Sequence, residues 1–274
     1  MIRYDLPKIS CLMVTTGRVD HIRKSVACYL NQTYPRTELI VLSQGSQNTN
    51  ATIREYLNSL NRSDIMFFDA PTRLTLGAMR NLSCEIATSD ILCQWDDDDL
   101  YHPTRVKDQY VALYSDDRNV ASASMRFLKY FSHTDEIYWC DWSGEGTSSS
   151  KFLCGSVMFY KKIFFDHGSL LYPEKGDQCC VEEDLNVLGK LLEAGRVVSY
   201  GSGHHYVYVY HEENTYNLSH HMLTLDVHSG KEVVNVKSLL ENQELLESSL
   251  QSVGFDRSVA VRSLKKVAFT YEPR

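Results

Sequence analysis

No apolar run in this 274-residue chain approaches the roughly 18 residues needed to cross a bilayer. Residues Met1 to Leu6 carry no signal-peptide core, so no export signal is expected there. The eight cysteines (positions 11, 28, 84, 93, 140, 154, 179 and 180) form no CxxC pair. Several fall inside apolar stretches, where a free thiol behaves as a small hydrophobe, so a reducing cytoplasm fits better than a disulfide framework. The adjacent Cys179-Cys180 has no account in these terms. Positive charge is short as well: 28 Lys and Arg face 35 Asp and Glu, a net charge of −7, which argues against a nucleic-acid partner. Glycine-rich GxGxxG and GxxxxGK[ST] loops are missing, which removes the main support for dinucleotide and P-loop readings. Repeats and low-complexity tracts are missing too. The remaining composition, 43% hydrophobic and 23% charged, is that of an ordinary globular protein, long enough for one large α/β domain or two small ones.

Against that background one stretch stands out. Ile91-Leu92-Cys93-Gln94-Trp95 is short, apolar and strand-like, and it ends in Asp96-Asp97-Asp98-Asp99. Four carboxylates at a strand end repel one another, and partial burial makes the repulsion worse. A divalent cation held by hard oxygens, with a phosphorylated substrate completing its shell, answers the problem. A solvated acidic loop is the plain alternative. The strand and Trp95 argue against it, because they fix the acids at a sheet edge where open α/β sheets bind ligands.

Lys8–Thr15 reads as a first buried strand, Val19–Asn31 as a helix, Glu38–Leu42 as a strand and Thr49–Leu60 as a helix. Asp64–Phe68 and Leu74–Ala87 repeat the alternation, the helix entered through Thr72 or Thr75 as its cap. This order predicts a parallel, nucleotide-binding α/β half with right-handed crossovers. Beyond the acids, Pro103–Tyr114 reads as a helix, and Asn119–Tyr130, Ile137–Trp142 and Phe152–Tyr160 as strands. Ser143–Ser150 reads as a flexible loop, Glu182–Glu193 as an acid-capped helix ended by Gly195, and Val207–Tyr210 as a strand. From about Ser229 the chain turns polar and helical.

The order of these motifs resembles the family-2 glycosyltransferases of GT-A fold. The residues that carry the resemblance are Thr15-Thr16-Gly17-Arg18, Leu30 to Pro35, Glu38 to Val41, Gly77-Ala78-Met79-Arg80-Asn81, Trp95 to Asp99 with Pro103, and Glu182-Glu183-Asp184-Leu185. They span about residues 8–215. The resemblance implies a GT-A type mostly parallel central sheet flanked by helices, with residues 1–225 as the transferase domain. Within it, residues 1–102 form the nucleotide-sugar half and residues 103–225 the acceptor half, followed by a helical C-terminal extension over residues 226–274. It also implies a nucleoside-diphosphate-sugar donor, UDP-sugar by default, a Mn2+ or Mg2+ cofactor, and inversion at the anomeric carbon.

By the same resemblance Asp98 matches the metal-binding carboxylate, Asp96 lies nearer the ribose or shares the metal, and Asp99 is a further candidate ligand. The register of the four acids is open by one residue. Asp97 and the Thr15, Thr16, Gly17, Arg18 segment fall on the donor side. Arg80 matches a position near the donor diphosphate or the acids, with a salt bridge to Asp96 or Asp97 as the structural alternative. Glu183-Asp184 matches the pair whose aspartate acts as base, and Asp184 is favoured over Glu183. His211 stands where some relatives place a histidine that completes the metal shell. His204, His205, His220 and His221 read as surface or packing residues. Ser43-Gln44 replaces the paired aspartates that many relatives carry after the second strand; Gln44 can still hydrogen-bond a base, and Asp69 is a replacement contact. Trp139, Trp142 and Tyr172 are candidates for the acceptor side, where aromatic faces stack on sugars, with core packing as the alternative. The Ser143–Ser150 loop is a candidate lid.

The activity expected is transfer to a hydroxyl on a glycan or other acceptor, of the kind used in bacterial-type surface polysaccharide or glycoconjugate synthesis. A sugar-phosphate nucleotidyltransferase and a non-catalytic sugar-binding module are the competing classes. The first lacks its glycine-rich basic loop, and the intact acids count against the second. Neither a nucleic-acid partner nor a transmembrane segment is expected, and the chain is expected in the cytoplasm. Peripheral membrane contact and homo-oligomerisation through the C-terminal helices are compatible with the sequence.

Overall fold

The computed structural model describes residues 6–71, 73–144, 151–166, 172–176, 178, 182–201, 203–223, 225, 232–264 and 266–273. Thr72, most of the Ser143–Ser150 loop and Cys179-Cys180 lie outside these residues.

Every residue of β1 (Ile9–Thr15) is buried. A strand covered on both faces belongs inside a sheet. Accordingly β1 pairs in parallel with β2 (Thr37–Ser43) on one side and β4 (Ile91–Gln94) on the other. With β3 (Ile65–Asp69), β6 (Asn119–Ser124), β9 (Leu153–Tyr160) and β10 (Arg196–Ser199), the first sheet runs β10-β6-β9-β4-β1-β2-β3. Only β9 is antiparallel to its neighbours. The helices α1 (Val19–Leu30), α2 (Gln47–Ser59) and α3 (Leu76–Ile86) make the crossovers. Ser46 caps α2 by accepting the Thr49 amide, and Thr75 rather than Thr72 caps α3 by accepting the Ala78 amide.

The strand order reverses at β1. The chain builds outward through β2 and β3, then returns to the opposite side of β1 as β4. A crevice opens beyond the carboxyl ends of strands at such a switch point. Here the strand ends that meet it carry Thr15 and Trp95. The β1–β4 register, Ile9 with Ile91 through Leu12 with Gln94, continues to place Thr15 beside Asp97. The Trp95 amide donates to the Leu12 carbonyl at 3.0 Å, carrying the pairing into the acid run.

Residues 119–130, expected as one strand, form two. After β6 the chain leaves the first sheet at Met125 and becomes β7 (Arg126–Phe131) of a second sheet. Alternation persists across the break, so the hydrophobic pattern alone does not mark it. The second sheet is completed by β5 (Leu100–Tyr101), β8 (Glu136–Asp141), β11 (Tyr206–Tyr210), β13 (Val259–Arg262) and β14 (Val267–Tyr271), with the short β12 (Glu232–Val233) on β8. Helix α4 (Arg105–Tyr114) packs on β6, and α5 (Lys161–Asp166) follows β9. Then α6 (Glu183–Ala194) covers β9 and β10, and α7 (Leu218–Leu223) follows β11.

The C-terminal extension contains the expected helices, α8 (Val236–Glu241) and α9 (Gln243–Ser252), but does not stop there. It continues into the β13–β14 hairpin, whose first strand pairs in parallel with β8. Leu239, Leu246, Leu250 and Phe255 pack against Leu128, Tyr130, Val207 and Val209, so the extension closes one face of the second sheet. No described helix is long and apolar enough to cross a membrane.

Phe255 is 7% exposed, with its ring 4.7 Å from that of Tyr130. Phe255→Ala is therefore expected to cost about 3–5 kcal/mol in urea unfolding and to move the single main transition. A shift confined to a separate minor transition would show that the extension unfolds on its own.

Candidate functional site

The four acids leave β4 in a zigzag, and each meets a different environment. Asp97 is buried beside Thr15: the Thr15 hydroxyl donates to its Oδ2 at 2.5 Å, and Arg18 pairs with its Oδ1. Burial and the neighbouring Asp98 push its carboxyl up to about 6, although Arg18 and Thr15 oppose the rise. Burial pushes Asp98 in the same direction. There a hydrogen bond from His211 Nε2 at 3.1 Å and the Arg18 guanidinium at 2.8 Å more than offset it, leaving the carboxyl below the ordinary value. Asp96 faces Arg80 Nη1 at 3.0 Å.

Asp99 points the other way. It is 1% exposed, accepts the Tyr206 hydroxyl at 2.5 Å and the Val209 amide at 2.8 Å, and does not line the cleft. Burial, then repulsion from Asp98 and Asp96, raise its carboxyl well above the usual range. The expectation that Asp99 is a further metal ligand is therefore corrected: it ties the acid run to β11. The open register resolves with Asp96, Asp97 and Asp98 on the cleft.

Arg18 reaches the acids because Gly17 turns the chain at φ +104°, a left-handed conformation that favours glycine. A Cβ on Gly17 would also lie 2.7 Å from Thr49 Cγ2. Arg80 enters from α3 on the opposite wall and bridges Asp96 to Glu183, its Nε lying 2.9 Å from Glu183 Oε1. The adjacent Asn81 holds the Tyr172 backbone from both sides, donating to its carbonyl at 2.9 Å and accepting its amide at 3.0 Å. The Arg-Asn pair thus serves two tasks on neighbouring helix positions.

Glu182, at φ +65°, occupies the left-handed region just before α6. Such a conformation is costly for a residue with a side chain and recurs at functional sites. It delivers Glu183 to the buried Arg80 and leaves Asp184 on the cleft. Burial and the repulsion of Glu183, only partly countered by Arg80, push the Asp184 carboxyl up to about 7.

The resulting cleft has a volume of about 880 Å3, and its walls include Thr15, Thr16, Arg18, Gln44, Arg80, Asp96, Asp97, Asp98, Glu183, Asp184 and Trp142. The Gln44 Oε1 accepts the Leu74 amide at 3.0 Å, so it also fixes the segment entering α3. Besides Asp99, five expected site residues do not line the cleft: Gly17, His211, Asp69, Trp139 and Tyr172. Asp69 pairs with Arg54 and accepts from Asn50 on an exposed surface. Trp139 faces the C-terminal extension, because residues alternate along β8 and only Tyr138, Cys140 and Trp142 share the other face. Tyr172 is buried under Arg80, with the guanidinium 5.8 Å from its ring centre, and supports that residue rather than an acceptor.

Other cleft residues went unread. The Tyr-Val-Tyr-Val-Tyr alternation of β11 sends Val207 and Val209 to the extension and leaves Tyr206 and Tyr208 on the cleft side. Lys129, 2% exposed in the middle of an apolar strand, also lines it and donates to the His221 carbonyl at 3.1 Å. A lysine between Leu128 and Tyr130 was the available signal. Gly155 matters through space rather than sequence: an added Cβ would lie 2.7 Å from Asp96 Oδ2 and 3.0 Å from the Tyr206 hydroxyl.

The donor set suits a divalent cation. Four carboxylates, Asp96, Asp97, Asp98 and Glu183, pair with two guanidinium groups, Arg18 and Arg80, while burial and then repulsion from a neighbouring acid raise Asp97 and Asp184. Asp96 and Asp98 offer hard oxygens to the cleft, and His211 Nε2 adjoins Asp98. The Glu213 amide donates to His211 Nδ1 at 3.1 Å, so the neutral ring carries its proton on Nε2. A cation bound at that nitrogen would take the place of this proton. His21, with its ring 4.4 Å from that of His211, is a neighbour not foreseen from sequence.

Residues 10–180 match the family described as glycosyl transferase family 2, and the chain belongs to that family. Its fold is the GT-A fold of these enzymes. Among similar solved structures is a mannosyltransferase from Pyrobaculum calidifontis in complex with GDP-Man and Mn2+. It has a TM-score of 0.55 and 14% identity, over 74% of this chain and 56% of that one. S. aureus TarS 1-349 gives a TM-score of 0.53 and 13% identity, over 74% of this chain and 60% of that one. Its complex with UDP-GlcNAc gives 0.53 and 14%, over 91% and 68%. The chain thus spans less than two thirds of the first two.

In the metal-free protein the Asp184 carboxyl is expected to titrate near 7. Carbon-13 NMR of labelled aspartates, with Asp184→Asn to assign the signal, measures it; a midpoint near the ordinary value for aspartate contradicts the described environment.

Proposed function

We propose that the chain is an inverting glycosyltransferase that moves a sugar from a nucleoside diphosphate to an acceptor hydroxyl. The observation that carries this reading is the Arg80 bridge, which sets the acid run and the Glu183-Asp184 pair on two walls of one cleft. One wall suits a cation and a diphosphate, and the other offers a carboxylate with a proton affinity near neutrality. Residues 1–102 would hold the donor, UDP-sugars being the first to test, and residues 103–225 the acceptor, a glycan or another hydroxyl compound. Surface-polysaccharide or glycoconjugate synthesis is the expected setting.

In the reaction the acceptor oxygen attacks the anomeric carbon while Asp184 takes its proton. The bond between that carbon and the diphosphate oxygen breaks, its electron pair leaves with the diphosphate, and the configuration inverts. Asp96 and Asp98, with His211 beside them, would hold Mn2+ or Mg2+, which would supply Lewis-acid stabilisation of the charge on the departing diphosphate. Arg80 and Glu183 act as positioning residues, keeping the first turn of α6 at a fixed place relative to the acids. Trp142 is the aromatic residue of the expected acceptor set that faces the cleft.

Asp184→Asn is expected to lower transfer by at least about 100-fold, as removal of a general base does, while donor binding by calorimetry stays within a few-fold. Retained transfer in this variant removes Asp184 from the base role. Because the base works deprotonated, transfer by the unmodified enzyme should rise with pH through about 7 and level off above it. Arg80→Met leaves Asp96 and Glu183 without their shared partner, and is expected to cost about 3–5 kcal/mol of stability together with loss of transfer. EDTA treatment should abolish transfer and added Mn2+ or Mg2+ restore it, read as release of the nucleoside diphosphate.

A further inference from the structure

A second cluster of potential ligands lies outside the cleft. His102 follows β5, and His204 and His205 precede β11; none of the three lines the cleft. The two segments are joined by the His102 amide, which donates to the His205 carbonyl at 3.0 Å. This pairing gathers three imidazoles, with ring centres 4.0 Å apart for His204 and His205, 5.2 Å for His102 and His204, and 5.7 Å for His102 and His205. One nitrogen from each lies within 4.8 Å of the others.

Two of the rings are also held by a neighbour. His102 Nδ1 accepts the Thr104 amide at 3.2 Å and lies 3.0 Å from Thr104 Oγ1, so the neutral ring carries its proton on Nε2, which a metal ion there would replace. His205 Nε2 is 2.9 Å from Asp108 Oδ2, while its buried Nδ1 has no hydrogen-bond partner among the described residues. Metal-bound histidines are commonly held by a carboxylate or a carbonyl in this way.

We propose that His102, His204 and His205, with Asp108 as the fourth ligand or the orienting carboxylate, form a zinc site separate from the donor cleft. Three imidazoles and one carboxylate suit zinc better than the oxygen-seeking Mg2+. Bonds of about 2.0–2.1 Å bring tetrahedral ligand atoms to about 3.3 Å from one another, so the cluster has to contract by no more than about 1.5 Å. His102 and His204 are half-buried and the Asp108 carboxylate is 40% exposed, which gives an ion access from solvent. Burial lowers the proton affinity of all three rings, and the neighbouring rings add to this for His102 and His204, whose value falls to about 4. The lone pairs are therefore unprotonated at neutral pH.

The site's role follows from what its ligands adjoin. Arg105 begins α4 three residues after His102, and its guanidinium lies 5.1, 4.3 and 4.9 Å from the ring centres of Trp95, Tyr101 and Tyr206. Tyr206 in turn donates to Asp99. Zinc would fasten the joint between β5, α4 and β11 from behind the acid run and stabilise the fold without taking part in transfer.

The test uses the full chain, stripped with EDTA and titrated with Zn2+ and with Co2+ as a spectroscopic probe. One Zn2+ per chain, the visible absorption of tetrahedral Co2+ and a raised melting temperature are expected. His204→Gln should weaken zinc affinity at least tenfold and remove the cobalt spectrum, and Asp108→Asn should weaken affinity about 10- to 100-fold. His211→Gln, which alters the donor cleft, should leave both signals intact. Circular dichroism of each metal-free variant checks that it is folded, and His102→Gln replaces His204→Gln if the latter is not. No zinc uptake by the unmodified chain overturns the proposal. So does uptake that survives His204→Gln or is lost in His211→Gln.

Discussion

Clustered carboxylates need compensation, and two guanidinium groups supply it from opposite walls. Arg18 neutralises Asp97 and Asp98 from the loop after β1, while Arg80 links Asp96 to Glu183 from α3. Both contacts are long in sequence and short in space, so they staple the first strand, the third helix and the sixth helix around the end of β4. The balance is incomplete: burial, then repulsion between neighbouring acids, leaves Asp97 and Asp184 with raised proton affinity despite the two arginines. A cleft in that condition suits a cation or a proton, and a carboxyl raised toward neutrality, as at Asp184, is what the proposed base role requires.

The scaffold explains why these groups meet. Parallel strands that reverse order at β1 place the ends of β1 and β4 at one crevice, and Gly17 turns Arg18 back toward it. The second sheet supplies the facing tyrosines, and the C-terminal extension seals that sheet's other face with Leu239, Leu246, Leu250 and Phe255. Among the described residues, the left-handed Glu182 is the one strained non-glycine residue beside the cleft, and it sits where α6 must begin for Glu183 and Asp184 to diverge.

The first hundred residues were readable because each element there is local: apolar runs of strand length alternate with helical periodicity, and Ser46 and Thr75 cap their helices through neighbours three residues on. The motif order singles out Arg80, Asp98 and Asp184, and the fold brings these three to one cleft. Pairing partners are not written in a single sequence, so the switch of sheets at Met125 and the β13–β14 hairpin on β8 were hidden. Trp139 and Trp142 differ by three positions, and strand alternation puts them on opposite faces; treating them as a pair ignored that period. Asp99 was misassigned because the fate of each acid depends on Tyr206 and Val209, more than a hundred residues away. Gly155 offered no signal, since its value lies in an absent atom.

Four identical residues in a row are degenerate on paper and distinct in space. Because the pairing of β1 with β4 fixes Asp97 beside Thr15, each acid is defined by where it stands, not by its neighbours in the chain. Loss of any one of the four codons yields the same shortened polypeptide. The molecule would then forfeit an address rather than a particular aspartate, and the downstream attachment to Tyr206 would compete with the cleft for the acids that remain.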